Sequence, residues 1–279
     1  MIRFSIVTPS FRSGRWLKLC IPSVADQEGV TFEHIVQDSC SDDETALWLP
    51  GDPRVTAFIE KDSGMYDAVN RGFRHAQGEL LAYINCDEQY LPGVLRKVSD
   101  YFDIHPEVDA LIADCIVVDS DGNYKCERKS MIPQLSHTQV GTTLSFLTAA
   151  LFLRRRVLEK HQLFFDTHWR DLGDVEWTMR AIRAGIRFGV LRQFTTIFTD
   201  TGENMNLLPN ARREKEELHS KVPWWLRVTA PLWVIHYRLR RLFAGVYRCK
   251  PHDYAIYTPD SAGERKLFHV DKPTFRWTR

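Results

Sequence analysis

The 279-residue sequence has almost no excess of charge, because 37 Lys and Arg residues stand against 36 Asp and Glu residues and leave a formal net charge of +1. Without an overall basic field, the chain is not expected to bind nucleic acid. Any anionic ligand must therefore be held by a local site. The hydrophobic share of 44% and the charged share of 26% are ordinary for a globular protein and exclude a largely disordered chain.

Cysteine pairs and long apolar runs are also missing. The cysteines are scattered, without a C-x-x-C pair or a metal-like spacing to histidine, which predicts reduced thiols and a cytoplasmic protein. Residues 1–7 lack the charged and apolar segments of a signal peptide. The uncharged stretch 130–153 is polar up to Thr143, so its apolar part is too short to cross a membrane.

Strand and helix patterns alternate through the first half of the chain, which predicts an α/β fold with a mostly parallel sheet flanked by helices. The clearest strand is 80–84, apolar throughout, as expected where helices cover both faces. The patterns also predict a helix over 13–27 that Pro22 interrupts, and a strand over 144–152. A change of composition divides a main domain, 1–205, from a C-terminal helical extension, 206–279.

Polar residues follow the central strand directly, in the order Asn85-Cys86-Asp87-Glu88. Ligands bind at the carboxyl ends of strands in open α/β sheets. The two carboxylates suit Mg²⁺ or Mn²⁺, and a metal diphosphate complex needs only one or two of them because the phosphates supply other ligands. A metal there would neutralise charge on a leaving nucleoside diphosphate. Taken alone, the pattern favours a different role, the N-cap of the helix that Pro92 begins.

Two further polar segments are predicted at the same edge of the sheet. In the loop before the helix over 66–77, Gly64 lets a backbone approach a ligand closely, and Asp62 and Asp67 add carboxylates. Asp38 ends the second strand and could accept hydrogen bonds from a ribose or a base. Turn chemistry and helix caps explain Gly64, Asp62 and Asp67 as well.

Together these segments resemble the family 2 inverting glycosyltransferases of the GT-A fold, over roughly residues 3–205. Each match is weak alone, but their order and their positions at predicted strand ends make a strong signal. The matching residues are 5–11, Asp38, Gly64, Ala68, Asn70, Gly72, 76–79, Asn85-x-Asp87-Glu88 and Gly173-Asp174-x-Glu176-Trp177. The resemblance implies a GT-A-like catalytic domain that transfers a sugar from a nucleotide sugar, usually a UDP-sugar, in a bacterial surface-polysaccharide pathway.

The resemblance also implies roles for individual residues. Pro9 and Phe11 would border the nucleotide base, and Asp38 would hold the base or the ribose. Asp87, with Glu88, would bind the Mg²⁺ or Mn²⁺ cofactor. The other donor-binding residues would be Asp62, Gly64, Asp67, Asn70 and Asn85. Asn85 departs from the family pattern, which usually has the first acid of an Asp-x-Asp motif at that position.

Asp174 is the implied catalytic base. In an inverting displacement the acceptor hydroxyl loses its proton while it attacks the anomeric carbon, and one carboxylate within hydrogen-bond reach is enough. The apolar neighbours Leu172 and Val175 would raise its pKa. Glu176 and Trp177 would contact the acceptor, a glycan or a lipid-linked sugar. Without the resemblance, a helix N-cap is the better explanation of Asp174.

The segment 224–248 has apolar residues at helical spacing and arginines on the opposite side. Such an amphipathic helix suits an anionic membrane surface, where it would hold the enzyme on the inner face of a membrane near a lipid-linked acceptor. Packing of the same apolar stripe against the main domain explains the periodicity equally well.

Two other functions fit parts of the sequence. A sugar nucleotidyltransferase has a related fold, but residues 8–14 lack the glycine spacing of its phosphate loop. A non-catalytic, membrane-associated scaffold with the same fold is supported only by the departure at Asn85. A dinucleotide-dependent oxidoreductase is disfavoured because no G-x-G-x-x-G follows the first strand.

Overall fold

The computed structural model describes residues 2–202, 209–261 and 263–277. Within these ranges, nine strands form one sheet and two more pair as a hairpin. The sheet strands are β1 (Phe4–Ser10), β2 (Phe32–Asp38), β3 (Thr56–Ile59), β4 (Leu80–Tyr83), β5 (Glu88–Tyr90), β6 (Ala110–Val118), β7 (Tyr124–Arg128), β8 (Leu151–Arg154) and β9 (Phe188–Thr199). The helices of this part are α1 (Gly14–Ala25), α2 (Thr45–Trp48), α3 (Met65–His75), α4 (Val94–Ile104), α5 (Leu135–Gly141), α6 (Arg156–Glu159) and α7 (Gly173–Arg183).

The strand order across the sheet is β3-β2-β1-β4-β8-β6-β9-β5, with β7 paired to β6. Strands β1, β2, β3, β4, β6 and β9 run in one direction, and β5, β7 and β8 run against them. The prediction of a mostly parallel sheet is therefore confirmed. The order reverses between β1 and β4, and in open α/β sheets a ligand crevice lies at such a reversal, beyond the carboxyl ends of the strands.

Helices cover both faces of the sheet. Side chains of α1 and α4, among them Val24, Val98 and Phe102, pack on one face, and side chains of α3 and α7, among them Phe73 and Trp177, pack on the other. All residues of β6 are buried, which explains why all of them except Asp114 are apolar. The two cores hold the strand ends rigidly, so the loops that follow them have fixed positions.

Two predicted elements differ from the structure. Helix α1 continues through Pro22 without interruption; burial of Leu17, Ile21 and Val24 in the core outweighs the one helix hydrogen bond that proline cannot donate. In the predicted strand over 144–152, only the last two residues belong to a strand, β8. The apolar residues before it pack into the cores as irregular backbone, and a short apolar run does not distinguish these cases.

The C-terminal extension contains a hairpin as well as helices. Its elements are α8 (Pro209–Ser220), α9 (Trp224–Val228), α10 (Ala230–Phe243), β10 (His252–Ile256) and β11 (Lys266–Val270). The hairpin is integral to the main core, because Tyr254, Ile256 and Val270 pack into it. The main-chain N–H of Tyr257 donates to Gln89 Oε1, and Gln89 Nε2 donates to the Tyr257 carbonyl, each over 2.9 Å. The boundary predicted at 205 lies outside the described residues and stays a prediction.

The apolar stripe of α10 faces solvent. Leu232, Leu239, Leu242 and Phe243 are exposed, Phe243 to 84%. The opposite side of the helix contacts α5, where Arg240 donates to the Ile132 carbonyl. Packing of this stripe on the main domain, one of the two sequence-based interpretations, is therefore wrong for these residues. No helix within the described ranges is both long enough and apolar enough to cross a membrane.

Candidate functional site

A cavity of about 620 Å³, called here the donor cavity, opens where the strand order reverses. Its walls come from the loops after β1, β3 and β4 and from the first turn of α7. The predicted site residues that line it are Pro9, Phe11, Asp62, Gly64, Asn85, Asp87, Glu88 and Asp174. Residues separated by as many as 165 positions (9 to 174) thus meet at one edge of the sheet.

A closed turn positions the carboxylates that follow β4. The main-chain N–H of Glu88 donates to the Asn85 carbonyl over 3.1 Å, and the Asn85 N–H donates to Glu88 Oε2 over 2.8 Å. Burial raises the pKa of Asp87 and of Glu88, and the charge of Asp87 raises that of Glu88 further. The helix-cap explanation of these acids fails, because α4 begins only at Val94, with Gly93 at its N-cap.

The residues after β4 fit a hard cation that a phosphate ligand completes. Asp87 offers a carboxylate in the donor cavity, and Asn85 Oδ1 is buried without a hydrogen-bond partner in the described part of the chain. Among the residues described, no three His, Cys, Asp or Glu side chains converge as a metal site. One carboxylate and one amide oxygen are a small ligand set, of the kind that suits a metal bound largely through diphosphate and water oxygens.

Asp174 lies in the first turn of α7 and also lines the donor cavity. Its Oδ1 accepts a hydrogen bond of 2.7 Å from the Val175 N–H, and its own N–H donates to the Tyr66 hydroxyl over 3.1 Å. Burial raises the pKa of Asp174 to about 6. A carboxylate with that pKa is ionised at neutral pH and basic enough to accept a proton, which is the requirement for a general base.

Gly173 permits the contact between α7 and Tyr66. A Cβ at position 173 would lie 2.6 Å from Cε2 of the Tyr66 ring, closer than carbon atoms can approach without a shift. The ring of Tyr66 also stacks on Phe165, with 5.0 Å between the ring centroids. Tyr66 is therefore fixed from two sides and in turn fixes the start of α7.

Two predicted donor-binding acids bind their own loops. Both carboxylate oxygens of Asp38 accept hydrogen bonds of 2.7 Å from Ser41, one from its N–H and one from its hydroxyl. Asp67 accepts bonds from the Ser63 N–H and from Arg71, and so ties the first turn of α3. Neither acid belongs to the described lining of the donor cavity. Ser39, the residue after Asp38, lines the cavity instead.

Three other predicted residues hold the fold together. The Asn70 amide donates to the Phe165 carbonyl over 2.8 Å and accepts from the Phe165 N–H over 2.9 Å. Trp177 is 1% exposed, and its Nε1 donates to a main-chain carbonyl within the core. Glu176 accepts two hydrogen bonds from Arg180, one turn along α7. These contacts are structural, and none of the three residues belongs to the described lining of the donor cavity, so their ligand contacts stay predictions.

Sequence reasoning missed several lining residues of the donor cavity: Trp16, Ser39, Tyr66, Tyr83 and Asp171. Trp16 belongs to the apolar pattern of a predicted helix and Tyr83 to that of a predicted strand, so the sequence indicated only core positions for them. Tyr66 had a usable signal, since it follows the Gly64 loop directly. Asp171 had a weaker one, three residues before Asp174.

Solved structures share this architecture. TarS of S. aureus, residues 1–349 in complex with UDP-GlcNAc, has a TM-score of 0.62 at 18% identity over 87% of this chain and 73% of that one. The mannosyltransferase PcManGT from Pyrobaculum calidifontis, in complex with GDP-Man and Mn²⁺, has a TM-score of 0.51 at 15% identity over 88% of this chain and 81% of that one. At such identities the likeness establishes the fold, and the fold is GT-A-like.

Curated relatives share shorter stretches. A PGL/p-HBAD biosynthesis glycosyltransferase of Mycobacterium tuberculosis is 31% identical over 120 residues, 41% of this chain and 47% of that protein. The succinoglycan biosynthesis protein ExoO of Rhizobium meliloti is 28% identical over 200 residues, 67% of this chain and 57% of that protein. The chain thus spans about half the length of these curated relatives.

The acid-lined cavity thus lies beyond the carboxyl ends of the parallel strands of a GT-A-like fold. The model of glycosyl transferase family 2 matches residues 5–169, more than half of the chain. The chain belongs to glycosyl transferase family 2, as the resemblance implied. Family membership also favours sugar transfer over nucleotidyl transfer and over a scaffold without chemistry.

Proposed function

We propose that this enzyme transfers a sugar, with inversion, from a nucleoside-diphosphate sugar to a hydroxyl group of a glycan or a lipid-linked sugar. One observation carries the proposal: Asp87 and Asp174 line the same cavity, and no described residue that lines it carries a positive charge. The carboxylate of Asp87 would supply a metal ligand and that of Asp174 a base in the same cavity. The pathway would be the biosynthesis of a bacterial surface polysaccharide, as in the relative that makes succinoglycan.

The donor is proposed to be a UDP-sugar. TarS was solved with UDP-GlcNAc and with UDP, and PcManGT with GDP-Man, so proteins of this fold bind nucleotide sugars in both cases. The complexes of TarS with UDP-GlcNAc and UDP, together with the UDP-sugar that the resemblance implies, support uridine. In this chain Pro9, Phe11 and Trp16 offer apolar surface to a base at one end of the cavity, and Phe11 is 53% exposed there.

A divalent cation is proposed because the charges of the donor cavity require one. Its described lining includes five acids and no Lys, Arg or His, so a diphosphate would meet only negative side chains. Asp87 and Asn85 Oδ1 would hold Mg²⁺ or Mn²⁺, the latter being the ion present with PcManGT. When bound, the metal would neutralise the charge of the leaving diphosphate.

Asp174 is proposed as the base. The acceptor hydroxyl oxygen forms a bond to the anomeric carbon while the bond from that carbon to the diphosphate breaks, and the hydroxyl proton moves to the Asp174 carboxylate. The electron pair of the broken bond leaves with the diphosphate. The hydrogen bond from the Val175 N–H holds the carboxylate at the cavity wall while this happens.

The α9–α10 face is proposed to dock on an anionic membrane. Residues 221–250 contain seven Lys or Arg residues and no Asp or Glu, so an anionic lipid surface has the complementary charge. Trp224 is 70% exposed beside them, as an interfacial helix requires. The six free cysteines suit a reducing compartment, which supports a docking surface on the cytoplasmic side.

Ligand-induced stabilisation tests the proposed donor site. The melting temperature of the protein is measured with UDP, GDP and their sugars, each with Mn²⁺, Mg²⁺ or EDTA, since a ligand of the native state raises it. We expect a metal-dependent rise with UDP that Asp87→Asn abolishes and that Asp174→Asn retains while it stops turnover. Asp121→Asn, in an exposed turn outside the cavity, is the control. No shift with any nucleotide, or full turnover in Asp174→Asn, would overturn the proposal.

A further inference from the structure

A second cavity, of about 730 Å³, lies next to the donor cavity. The two share Thr148, Asp171, Asp174 and Phe198, so Asp174 stands on the wall between them. A base that takes a proton from the acceptor must face the acceptor as well as the donor. The second cavity is the space on the far side of that base.

The two cavities differ in charge. The described lining of the donor cavity has no cation, whereas Arg128, Arg212 and Lys215 line the second cavity. Its acids are Asp171 and Asp174, the two that it shares with the donor cavity. Its remaining walls are largely apolar, with Leu144, Phe146, Leu147 and Val175 among them. Among the described residues, cationic side chains therefore line the second cavity and not the donor cavity, although Asp174 lines both.

Arg128 is the unusual member of this set. It ends β7 partly buried, and its guanidinium lies over the Trp277 ring, 5.7 Å from the ring centroid. No carboxylate within the described ranges forms an ion pair with it. Burial lowers the pKa of Arg128, and the nearby charge of Arg241 lowers it further. A half-buried cation without a counter-charge costs folding free energy, which a bound anion would offset.

The other two cations come from one face of α8. Arg212 and Lys215 are three residues apart, so their side chains project on the same side of the helix. Arg212 has an exposed partner one turn on, Glu216 at 3.4 Å, and Lys215 forms no ion pair with any residue that the structure describes. Both can turn to an anion in the cavity, which Arg128 also lines.

We propose that the second cavity is the acceptor subsite and that it selects an acceptor carrying a phosphate or carboxylate group, bound by Arg128, Arg212 and Lys215. This inference rests on the proposed function, because it takes Asp174 to be the base. Held by its anionic group, the acceptor would present a hydroxyl to Asp174. The cations would not contact the reacting atoms, so they are specificity-determining residues.

Calorimetry with small probes tests the subsite. The protein is first saturated with UDP and Mg²⁺, which fills the donor cavity, and then titrated with phenyl phosphate, phenyl β-glucuronide or the neutral phenyl β-glucoside. We expect both charged probes to bind at least about tenfold more tightly than the glucoside. Phenyl phosphate and the glucuronide separate a phosphate-bearing acceptor from an acidic sugar. Equal binding of all three probes, or none, overturns the inference.

Variants locate the binding. Arg128→Gln and Lys215→Gln should each weaken the charged probes by about tenfold and leave the affinity for UDP unchanged. Lys215 is exposed, so its variant keeps the fold even where Arg128→Gln fails to. Lys97→Gln, an exposed cation on α4, is the matched control and should bind as wild type. If both cavity variants bind UDP and bind the charged probes as tightly as wild type does, the subsite is refuted and the donor site stands. If the wild-type protein does not bind UDP, the proposed function itself is refuted.

Discussion

The hydroxyl of Tyr66 accepts a hydrogen bond of 3.1 Å from the main-chain N–H of Asp174. The same hydroxyl also lowers the pKa of the Asp174 carboxyl, which burial raises. Tyr66 thus links the helix that follows the Gly64 loop to the first turn of α7, and it adjusts the basicity of the proposed base.

Tyr66→Phe should move the acidic limb of the pH–rate profile. Activity requires ionised Asp174 and rises with pH through its pKa of about 6. Loss of the hydroxyl raises that pKa, so the limb should shift to higher pH by roughly 0.5–1 unit, with activity recovered at pH 8. The measurement is kcat/KM from pH 5 to about 9. Tyr90→Phe is the control: it removes a buried hydroxyl that has no partner among the described residues and should leave the acidic limb in place. An unshifted limb in Tyr66→Phe would show that the Tyr66 hydroxyl does not lower the pKa of Asp174.

Gly173→Ala should lower stability and turnover together. The added Cβ would lie 2.6 Å from the Tyr66 ring, which two contacts hold in place. Overpacking of this kind costs about 1–3 kcal/mol of unfolding free energy, measurable by urea denaturation. Gly51→Ala is the matched control, because its Cβ meets no atom within 4 Å. Equal urea midpoints for Gly173→Ala and Gly51→Ala would contradict this prediction, because the start of α7 would then shift to accommodate the Cβ without loss of stability.

Asp174→Asn should unfold at a higher temperature than wild type above pH 6, although it is inactive. The folded-state pKa of Asp174 is raised from 3.8 to about 6, so the carboxyl destabilises the fold increasingly as pH rises through this interval. The advantage of the amide should appear above about pH 4, grow to about pH 6 and then stay constant, with an upper limit of about 3 kcal/mol before solvent screening. Melting temperatures of both proteins from pH 4 to about 8 test this. A constant difference across that range contradicts it.

The strand ends could be predicted because apolar runs and the polar residues after them are local in sequence. Asp87 and Gly64 follow such signals, whereas Asp174 was assigned from the family resemblance; all three line one cavity. The partners of Asn70 and Trp177 could not be predicted in the same way. The Asn70 amide bonds to Phe165, 95 positions away, and the depth at which Trp177 lies depends on the packing of α7 against the sheet.

The C-terminal hairpin was missed for the same physical reason. Its strands are short, and a hairpin of that size is marginal in isolation. Its stability comes from distant partners, such as the ion pair of Arg265 with Asp26 and the bonds of Tyr257 with Gln89. The spacing of residue types within the C-terminal tail does not indicate these contacts.

Asn85→Asp should strengthen metal binding. Asn85 Oδ1 is buried without a described partner beside Asp87, so a carboxylate there would add a stronger oxygen ligand to the proposed cation site. We expect the Mn²⁺ affinity, measured by calorimetry with UDP present, to rise several-fold. Without metal the variant should be less stable than wild type, since it adds a negative charge next to two buried acids. Asn85→Leu should weaken Mn²⁺; equal affinity in all three proteins would place Asn85 outside the metal site.

Negative charge introduced on the solvent-facing stripe of α10 should release the protein from anionic vesicles. Leu239 and Phe243 are exposed on that stripe, so replacing either with Glu leaves the core intact, removes apolar surface and adds repulsion from the lipid. Each substitution should weaken binding to vesicles that contain phosphatidylglycerol by about tenfold or more in a flotation assay, with UDP binding unchanged. Leu47→Glu is the control for added charge, because Leu47 is about as exposed as Phe243 but lies on α2. The arginines beside the stripe attract anionic headgroups, so wild type should already bind purely zwitterionic vesicles weakly. Equal binding to anionic and zwitterionic vesicles would assign the exposed stripe to a protein partner and not to a membrane.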